Sequence, residues 1–251
     1  MGEDFQGKVV VVTGGSRGIG EATARAFAAE GARVAVLSRK LEALQEVTTA
    51  IQDAGGEAMA VQAHCGKAEE IVQAVDTVVD VWGGLDILVN NAATNPHFGP
   101  ILDCPEGMWD KIFQVNVKGF FLAIQAAAPH LERRDGVIVN VSSIAGIKAA
   151  PMMGIYSVSK AAVIHMTKAL ARELGGRGVR VNCVAPGLIR THFSRAIWDN
   201  EALMDEVMKS HAVDRIGEPE EVAKAILYMA GEGASYVTGS VLVLDGGEIL
   251  F

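Results

Sequence analysis

KVVVVTGGSRGIGEATARAFAAEG, residues 8–31, decides the fold. Four valines in a row make a short β-branched run. It is too short for a helix of its own and apolar on both sides, as a strand buried in a parallel sheet must be. The run stops at glycines. Residues 21–31 are then alanine-rich and close on Gly31, which reads as a helix with a glycine stop. Strand, glycine turn and helix in 24 residues form the first half of a βαβ unit.

The same alternation continues outward. RVAVLSR (33–39) is a second strand, and LEALQEVTTAIQDAGG (41–56) a second helix that ends in glycine. EAMAVQA (57–63) and LDILVNNA (85–92) read as strands around a helix at 67–82. A long helix is expected over 108–131, a strand at GVIVNVSS (136–143), a helix at 155–174 and a strand at VRVNCVAP (179–186). EPEEVAKAILYMAGEG (218–233) is a helix with acids at its start, and SVLVLDGG (240–247) a last strand. Residues 188–215 have mixed composition and no clear period. Strands alternating with helices imply a parallel sheet covered on both faces, and right-handed crossovers make it doubly wound. The expectation is an α/β chain of about seven strands, one domain over 1–251, with its ligand beyond the carboxyl ends of the strands.

Composition narrows the function. The chain has 251 residues, half of them hydrophobic, enough for one large core. Its net charge of −8 makes it a poor candidate for nucleic acid or an anionic membrane. Cys65, Cys104 and Cys183 are odd in number and far apart in sequence, so neither a disulfide framework nor a metal site is expected. No apolar run reaches the length of a bilayer span, and the start lacks a secretion signal. A cytoplasmic protein is expected.

The glycine turn is spaced G-x-x-x-G-x-G, at Gly14, Gly18 and Gly20. Glycines let the backbone approach a pyrophosphate, and the helix start offers free N–H groups and a positive dipole end. Gly14, Ser16, Arg17, Gly18, Ile19 and Gly20 are therefore candidate dinucleotide contacts. NAD recognition would call for an acid at the end of the second strand. Here Ser38, Arg39 and Lys40 stand instead. Arg39, with Arg17, suits a 2′-phosphate, since guanidinium binds that anion in a bidentate fork. The expectation is NADP(H) in preference to NAD(H), with NAD(H) possible.

In GIYSVSKAAV (154–163), Tyr156 and Lys160 sit four apart, on one face of the expected helix. A nearby cation lowers a phenol from its usual pKa of about 10. A phenol so tuned exchanges protons with a carbonyl or alcohol oxygen. Thirteen residues upstream, at a strand end, lies Ser143, whose hydroxyl could hold charge developing on that oxygen. Ser142 competes with it, because side chains alternate and only one of the two can face the site.

TGGSRGIG, NNAA (90–93), NV (116–117), VSS (141–143), YSVSK (156–160) and APGLIRT (185–191) occur in the order of the short-chain dehydrogenase/reductase family, which the chain resembles over nearly its whole length. NNAATNP (90–96), HCGKAE (64–69) and GLIRTHFSR (187–195) look like its NADP-dependent retinol dehydrogenase/carbonyl reductase subgroup. The resemblance implies Tyr156 as general acid/base, with Lys160 lowering its pKa and holding the nicotinamide ribose. It implies Ser143 as the family serine and Asn116 as holder of a water that relays protons from Lys160. It further implies Asn91 and Ala92 beside the cofactor ribose, and Pro186, Gly187, Ile189 and Thr191 around the nicotinamide carboxamide. Two positions depart from the family: Ala93 where glycine is usual, and His64 where an aspartate often meets the adenine.

Phe193, Ile197, Trp198, Leu203 and Met204 lie in the mixed segment. Asn95, Pro96, His97 and Phe98 follow the fourth strand, and Met152 and Met153 precede the tyrosine. A pocket so lined suits an apolar ketone, aldehyde or secondary alcohol. A 3-oxoacyl thioester reductase is the alternative within the enzyme class. A non-catalytic NADP-binding sensor or scaffold is the alternative outside it. The apolar helices at 108–131 and 155–174, with the family's habit, suggest a homotetramer.

Overall fold

A computed structural model describes residues 5–250. Seven parallel strands form one sheet in the order β3-β2-β1-β4-β5-β6-β7. They are β1 (Val9–Thr13), β2 (Arg33–Ser38), β3 (Glu57–Gln62), β4 (Ile87–Asn90), β5 (Val137–Val141), β6 (Arg180–Pro186) and β7 (Val241–Leu244). The chain runs outward from β1 to β3, returns to β4 on the other side of β1, and continues to β7. The order reverses between β1 and β4, which register Val10 with Ile87 and Val12 with Val89. A crevice opens at such a reversal, beyond the carboxyl ends of the two strands.

The valine run explains the layering. Val10 and Val12 point into one core with Val34, Val36, Phe27, Leu44, Ile51, Val222 and Ile226. Val9 and Val11 point into the other, with Ala35, Leu37, Ile71, Val75, Leu122, Ile138 and Leu174. Helices α1 (Gly18–Ala29), α2 (Leu41–Asp53) and α9 (Pro219–Ala230) cover the first face. Helices α3 (Ala68–Trp82), α5 (Gly119–Leu131) and α6 (Gly154–Leu174) cover the second. A strand buried on both faces has no polar side to show, which is why alternation is missing from its sequence.

Two expectations needed revision. The helix over 108–131 is α4 (Glu106–Phe113), a π-helical stretch Gln114–Lys118, and α5. The apolar period runs through this change unbroken, but the wide turn alters what residue 116 can reach. The unassigned 188–215 contains two short helices, α7 (Arg195–Trp198) and α8 (Glu201–Met208). This excursion is closed at its neck by two backbone bonds, Arg190 N–H to the Gly217 carbonyl (2.8 Å) and Gly217 N–H to the Leu188 carbonyl (3.0 Å). Among the described residues, no helix is long and apolar enough to cross a membrane.

Candidate active site

The glycine turn sits at the reversal point. Gly14 has φ +67°, and a Cβ there would lie 2.8 Å from Ala92 Cα; a Cβ on Gly20 would lie 2.3 Å from the Gly14 carbonyl oxygen. Neither position has room for a side chain. The Asn91 amide closes the turn from β4, donating to the carbonyls of Thr13 (3.1 Å) and Gly14 (3.2 Å). Thr13 Oγ1 accepts from the Asn91 and Ala92 N–H groups. The helix α1 begins at Gly18 behind Arg17, whose side chain makes no capping bond, so the first N–H groups of the helix face outward without a side-chain acceptor.

At the end of β2 the Ser38 hydroxyl is buried and has no hydrogen-bond partner among the described residues. Arg17, Arg39 and Lys40 are exposed, and none makes an ion pair with a described residue. Lys40 stands at the N-cap of α2 without a capping bond, against the dipole of that helix. His64, two residues past β3, folds onto its own turn: its Nδ1 accepts from Gly66 N–H at 3.0 Å. These features suit a dinucleotide with an anionic group beyond β2. They are an uncapped helix start at a side-chain-free turn, an orphaned hydroxyl and three unpaired cations.

The other half of the site lies past β5. Tyr156 and Lys160 are both buried on one face of α6, and the ammonium is 5.6 Å from the tyrosine ring centroid. Lys160 Nζ donates to the Val141 carbonyl (2.8 Å) and lies 5.4 Å from the Phe120 ring centroid. Ser143 lies on the Tyr156 side of the strand end, its hydroxyl 3.4 Å from the Pro186 carbonyl. It also caps the short turn after β5 by accepting from Ala145 N–H at 3.1 Å. Ser142 faces the opposite way, its hydroxyl donating to the Lys160 carbonyl at 2.8 Å. The strand's alternation thus assigns Ser143 to the tyrosine and Ser142 to the helix backbone.

The electrostatics differ from the sequence expectation. Burial pushes the Tyr156 phenol well above the ordinary tyrosine range, and the nearby Ser143 hydroxyl is the group that works against it. Burial also pushes Lys160 down to about 8, opposed weakly by Cys183. Sequence spacing shows that the two share a helix face. It does not show that the same low-dielectric setting raises the acid and weakens the cation meant to tune it.

Asn116 also has a packing role that the sequence does not mark. It lies in the π-helical stretch, fully buried. Its Oδ1 accepts from Thr94 N–H (2.8 Å), and its Nδ2 donates to the Thr94 carbonyl (3.0 Å) and to Ser159 Oγ (3.1 Å). Ser159 in turn donates to the Tyr156 carbonyl at 2.7 Å. Both amide protons are committed to protein, so the side chain clamps the loop after β4 to the tyrosine helix.

Residues after β6 complete the surround. Gly187 N–H donates to the Leu244 carbonyl at 2.9 Å. Thr191 Cγ2 lies where a Cβ on Gly18 would be only 3.3 Å away, so this segment meets the glycine turn. Ser194, which the sequence did not mark, donates to the Ile189 carbonyl and sits 3.1 Å from Thr191 Oγ1. It occupies the groups expected to hold a carboxamide. Phe193 places its ring 5.7 Å from that of Tyr156, tilted by 39°. The loop after β4 bridges the segment before Tyr156 through Gly99 N–H to the Met152 carbonyl at 2.8 Å, and Met152 adopts φ +63° to present it.

A parallel sheet reversed at its first strand, with a glycine turn at the reversal, defines a doubly wound α/β protein of the nucleotide-binding kind. The family description "Enoyl-(Acyl carrier protein) reductase" matches residues 14–248. "Dehydrogenase/reductase SDR family member 4" of Bos taurus is 44% identical over 243 residues, which is 96% of this chain and 87% of the relative. The Homo sapiens protein of the same name is 43% identical, with the same two coverages. A short-chain type dehydrogenase/reductase from Mycobacterium ulcerans superposes with a TM-score of 0.95 at 33% identity, covering 98% of this chain and 91% of that one. A dehydrogenase/reductase from Sinorhizobium meliloti 1021 gives 0.91 at 39%, covering 98% and 96%. The chain belongs to the short-chain dehydrogenase/reductase family, oxidoreductases of CH–OH and carbonyl groups that use nicotinamide dinucleotides.

Proposed function

We propose that this chain is an NADP(H)-dependent carbonyl reductase or alcohol dehydrogenase for apolar ketones, aldehydes or secondary alcohols. The observation that carries the reading is Tyr156, buried beside Ser143 and flanked by Lys160 and Phe193 past the same strand ends as the glycine turn. The dinucleotide supplies the hydride or takes it up when bound. Gly14, Ser16, Gly18, Ile19 and Gly20 would hold its pyrophosphate, and Arg17, Ser38, Arg39 and Lys40 its 2′-phosphate. His64 would lie toward the adenine. Asn91 and Ala92 would lie by the ribose, and Pro186, Gly187, Ile189 and Thr191 by the carboxamide.

Tyr156 holds or releases the proton at the substrate oxygen. Its raised pKa keeps the phenol protonated through neutral pH, the form that donates to a carbonyl oxygen. Ser143 steadies that oxygen as charge develops on it. Lys160 orients the ribose and supplies positive charge, which fades as pH rises through about 8. Asn116 fixes the helix that carries both.

A panel of carbonyls and alcohols, assayed with both dinucleotides, tests the reading. Apolar ketones with NADPH should give the highest kcat/KM. Activity confined to acyl-carrier or CoA thioesters would favour the 3-oxoacyl reductase reading, which the wording of the matched family description keeps in play. NADPH binding without reduction of any panel member would favour a sensor or scaffold.

The same reading places the protein in the cytoplasm, consistent with three free cysteines. It also makes it a homotetramer. Met108, Trp109 and Phe121 on α4 and α5, Val158 on α6, and a fully exposed Tyr236 leave apolar surface that subunit contacts would cover. Sedimentation should give four times the 26.4 kDa chain mass, and a monomer would contradict the assignment.

A further inference from the structure

The excursion between β6 and α9 carries Phe193 against Tyr156, so its position sets how closely the site is covered. Its neck is fixed by the bonds at 188–190 and 217. Its trailing end, residues 211–213, is fixed separately, by the turn that follows β7. The Gly246 carbonyl accepts from Ala212 N–H (2.8 Å) and Val213 N–H (2.9 Å). Asp245 shapes that turn by accepting from Gly247 N–H and Ile249 N–H, each at 2.9 Å. A cavity of about 220 Å³, lined by Leu188, Ile189, His211, Val213 and Leu244 among others, lies beneath this anchorage. Polar contacts tie the trailing end to that turn, beside its packing against Gly246 and Gly247.

One of these contacts has an unusual proton requirement. The His211 side chain is 2% exposed and its Nε2 lies 3.5 Å from Glu248 Oε2. Its Nδ1 lies 2.9 Å from the Val207 carbonyl. A carbonyl only accepts, so Nδ1 carries hydrogen. In a neutral imidazole Nε2 is then a lone pair, and it faces a carboxylate oxygen. Two acceptors do not attract. The contact is favourable only when one proton lies on the pair, as imidazolium with carboxylate or as imidazole with carboxylic acid.

We propose that His211 and Glu248 are positioning residues that share one proton and so latch the excursion down over Tyr156, making substrate affinity depend on pH. The other charged groups around them fit this role. Lys148, in the loop after β5, favours the Glu248 carboxylate, while Asp245 disfavours it, and partial burial disfavours it most. Arg215 at the neck is engaged by Glu221 of α9 through two bonds of 2.8 and 2.7 Å and does not compete for Glu248. Closure is supported while one proton lies on the pair and is lost as pH rises and that proton leaves. Apparent affinity falls by the fraction of closed chains.

This inference rests on the catalytic reading only for its kinetic arm. In wild type, KM for an apolar ketone should rise about tenfold between about pH 6 and about pH 9, the low end of what a charge-assisted contact contributes. Glu248→Gln supplies an amide N–H to Nε2 without a titrating proton, so KM should stay near its low-pH value throughout. His211→Phe should show the high value at every pH. Titration of Lys160 would appear in kcat in all three proteins, which separates it from the latch. Amide hydrogen exchange over residues 195–210, corrected for the intrinsic pH dependence and run without substrate, should follow the same order and needs no turnover. The proposal is overturned if Glu248→Gln keeps the wild-type pH dependence of exchange, or if His211→Phe leaves exchange unchanged while thermal unfolding shows it folded. If the latch outcome appears in exchange but no carbonyl is reduced, the catalytic assignment fails and the latch stands.

Discussion

Tyr156→Phe should lower kcat for carbonyl reduction by about a thousandfold or more while leaving dinucleotide binding within a few fold. Only one oxygen is removed. The ring keeps its place between Phe193 and Lys160, and no hydrogen bond of α6 depends on the hydroxyl. On the proposed reading, what disappears is the proton source at the substrate oxygen, an effect of about 10² to 10⁴ by itself. Ser143 Oγ keeps its bonds with Ala145 N–H and the Pro186 carbonyl in the variant. Direct titration with NADPH, followed by single-turnover kinetics, separates dinucleotide binding from chemistry. A variant that turns over at a tenth of the wild-type rate would remove Tyr156 from the chemistry. A variant that loses NADPH binding as well would make the tyrosine a cofactor ligand first.

The layout of this enzyme was readable where physics acts locally. Val9 to Val12 and Val137 to Val141 announce strands because a β-branched run buried on both faces has few other uses. The turn at Gly14 was readable because a left-handed backbone with no room for a side chain demands glycine. The choice between Ser142 and Ser143 was narrowed by alternation and settled only by packing against α6. Burial was not readable. The spacing of Tyr156 and Lys160 is the same on an exposed helix as on a buried one. Only in the folded chain does removal from water raise the phenol and lower the ammonium together. The π-helical turn at Gln114–Lys118 leaves the apolar period intact and so leaves no trace in the sequence. Ser194 and the pairing of His211 with Glu248 were equally invisible. They depend on how a segment without clear periodicity returns to the sheet.

Exchanging the charge beyond β2 should reverse the dinucleotide preference. In wild type, kcat/KM should favour NADPH over NADH. In the double variant Arg17→Ser, Arg39→Asp the ratio of the two efficiencies should move toward NADH by about a thousandfold. Each guanidinium–phosphate contact is a charge-assisted hydrogen bond worth about 1.5 to 3 kcal/mol, or about ten- to a hundredfold. An aspartate at 39 also offers an acceptor to the free 2′-hydroxyl that NADH carries. The cost in stability should be small. Both arginines are exposed and neither makes an ion pair with a described residue, so their removal lies within about 0.5 kcal/mol. Arg39 stands directly before Lys40, the N-cap of α2, where positive charge opposes the helix dipole. Replacing it by an acid should if anything firm the start of α2. The preference of the wild type should also weaken as salt is added, because the contacts lie at the surface and are screened. Equal efficiency with NADH in wild type, or a ratio that does not move in the double variant, would show that Ser38, Arg39 and Arg17 face no phosphate.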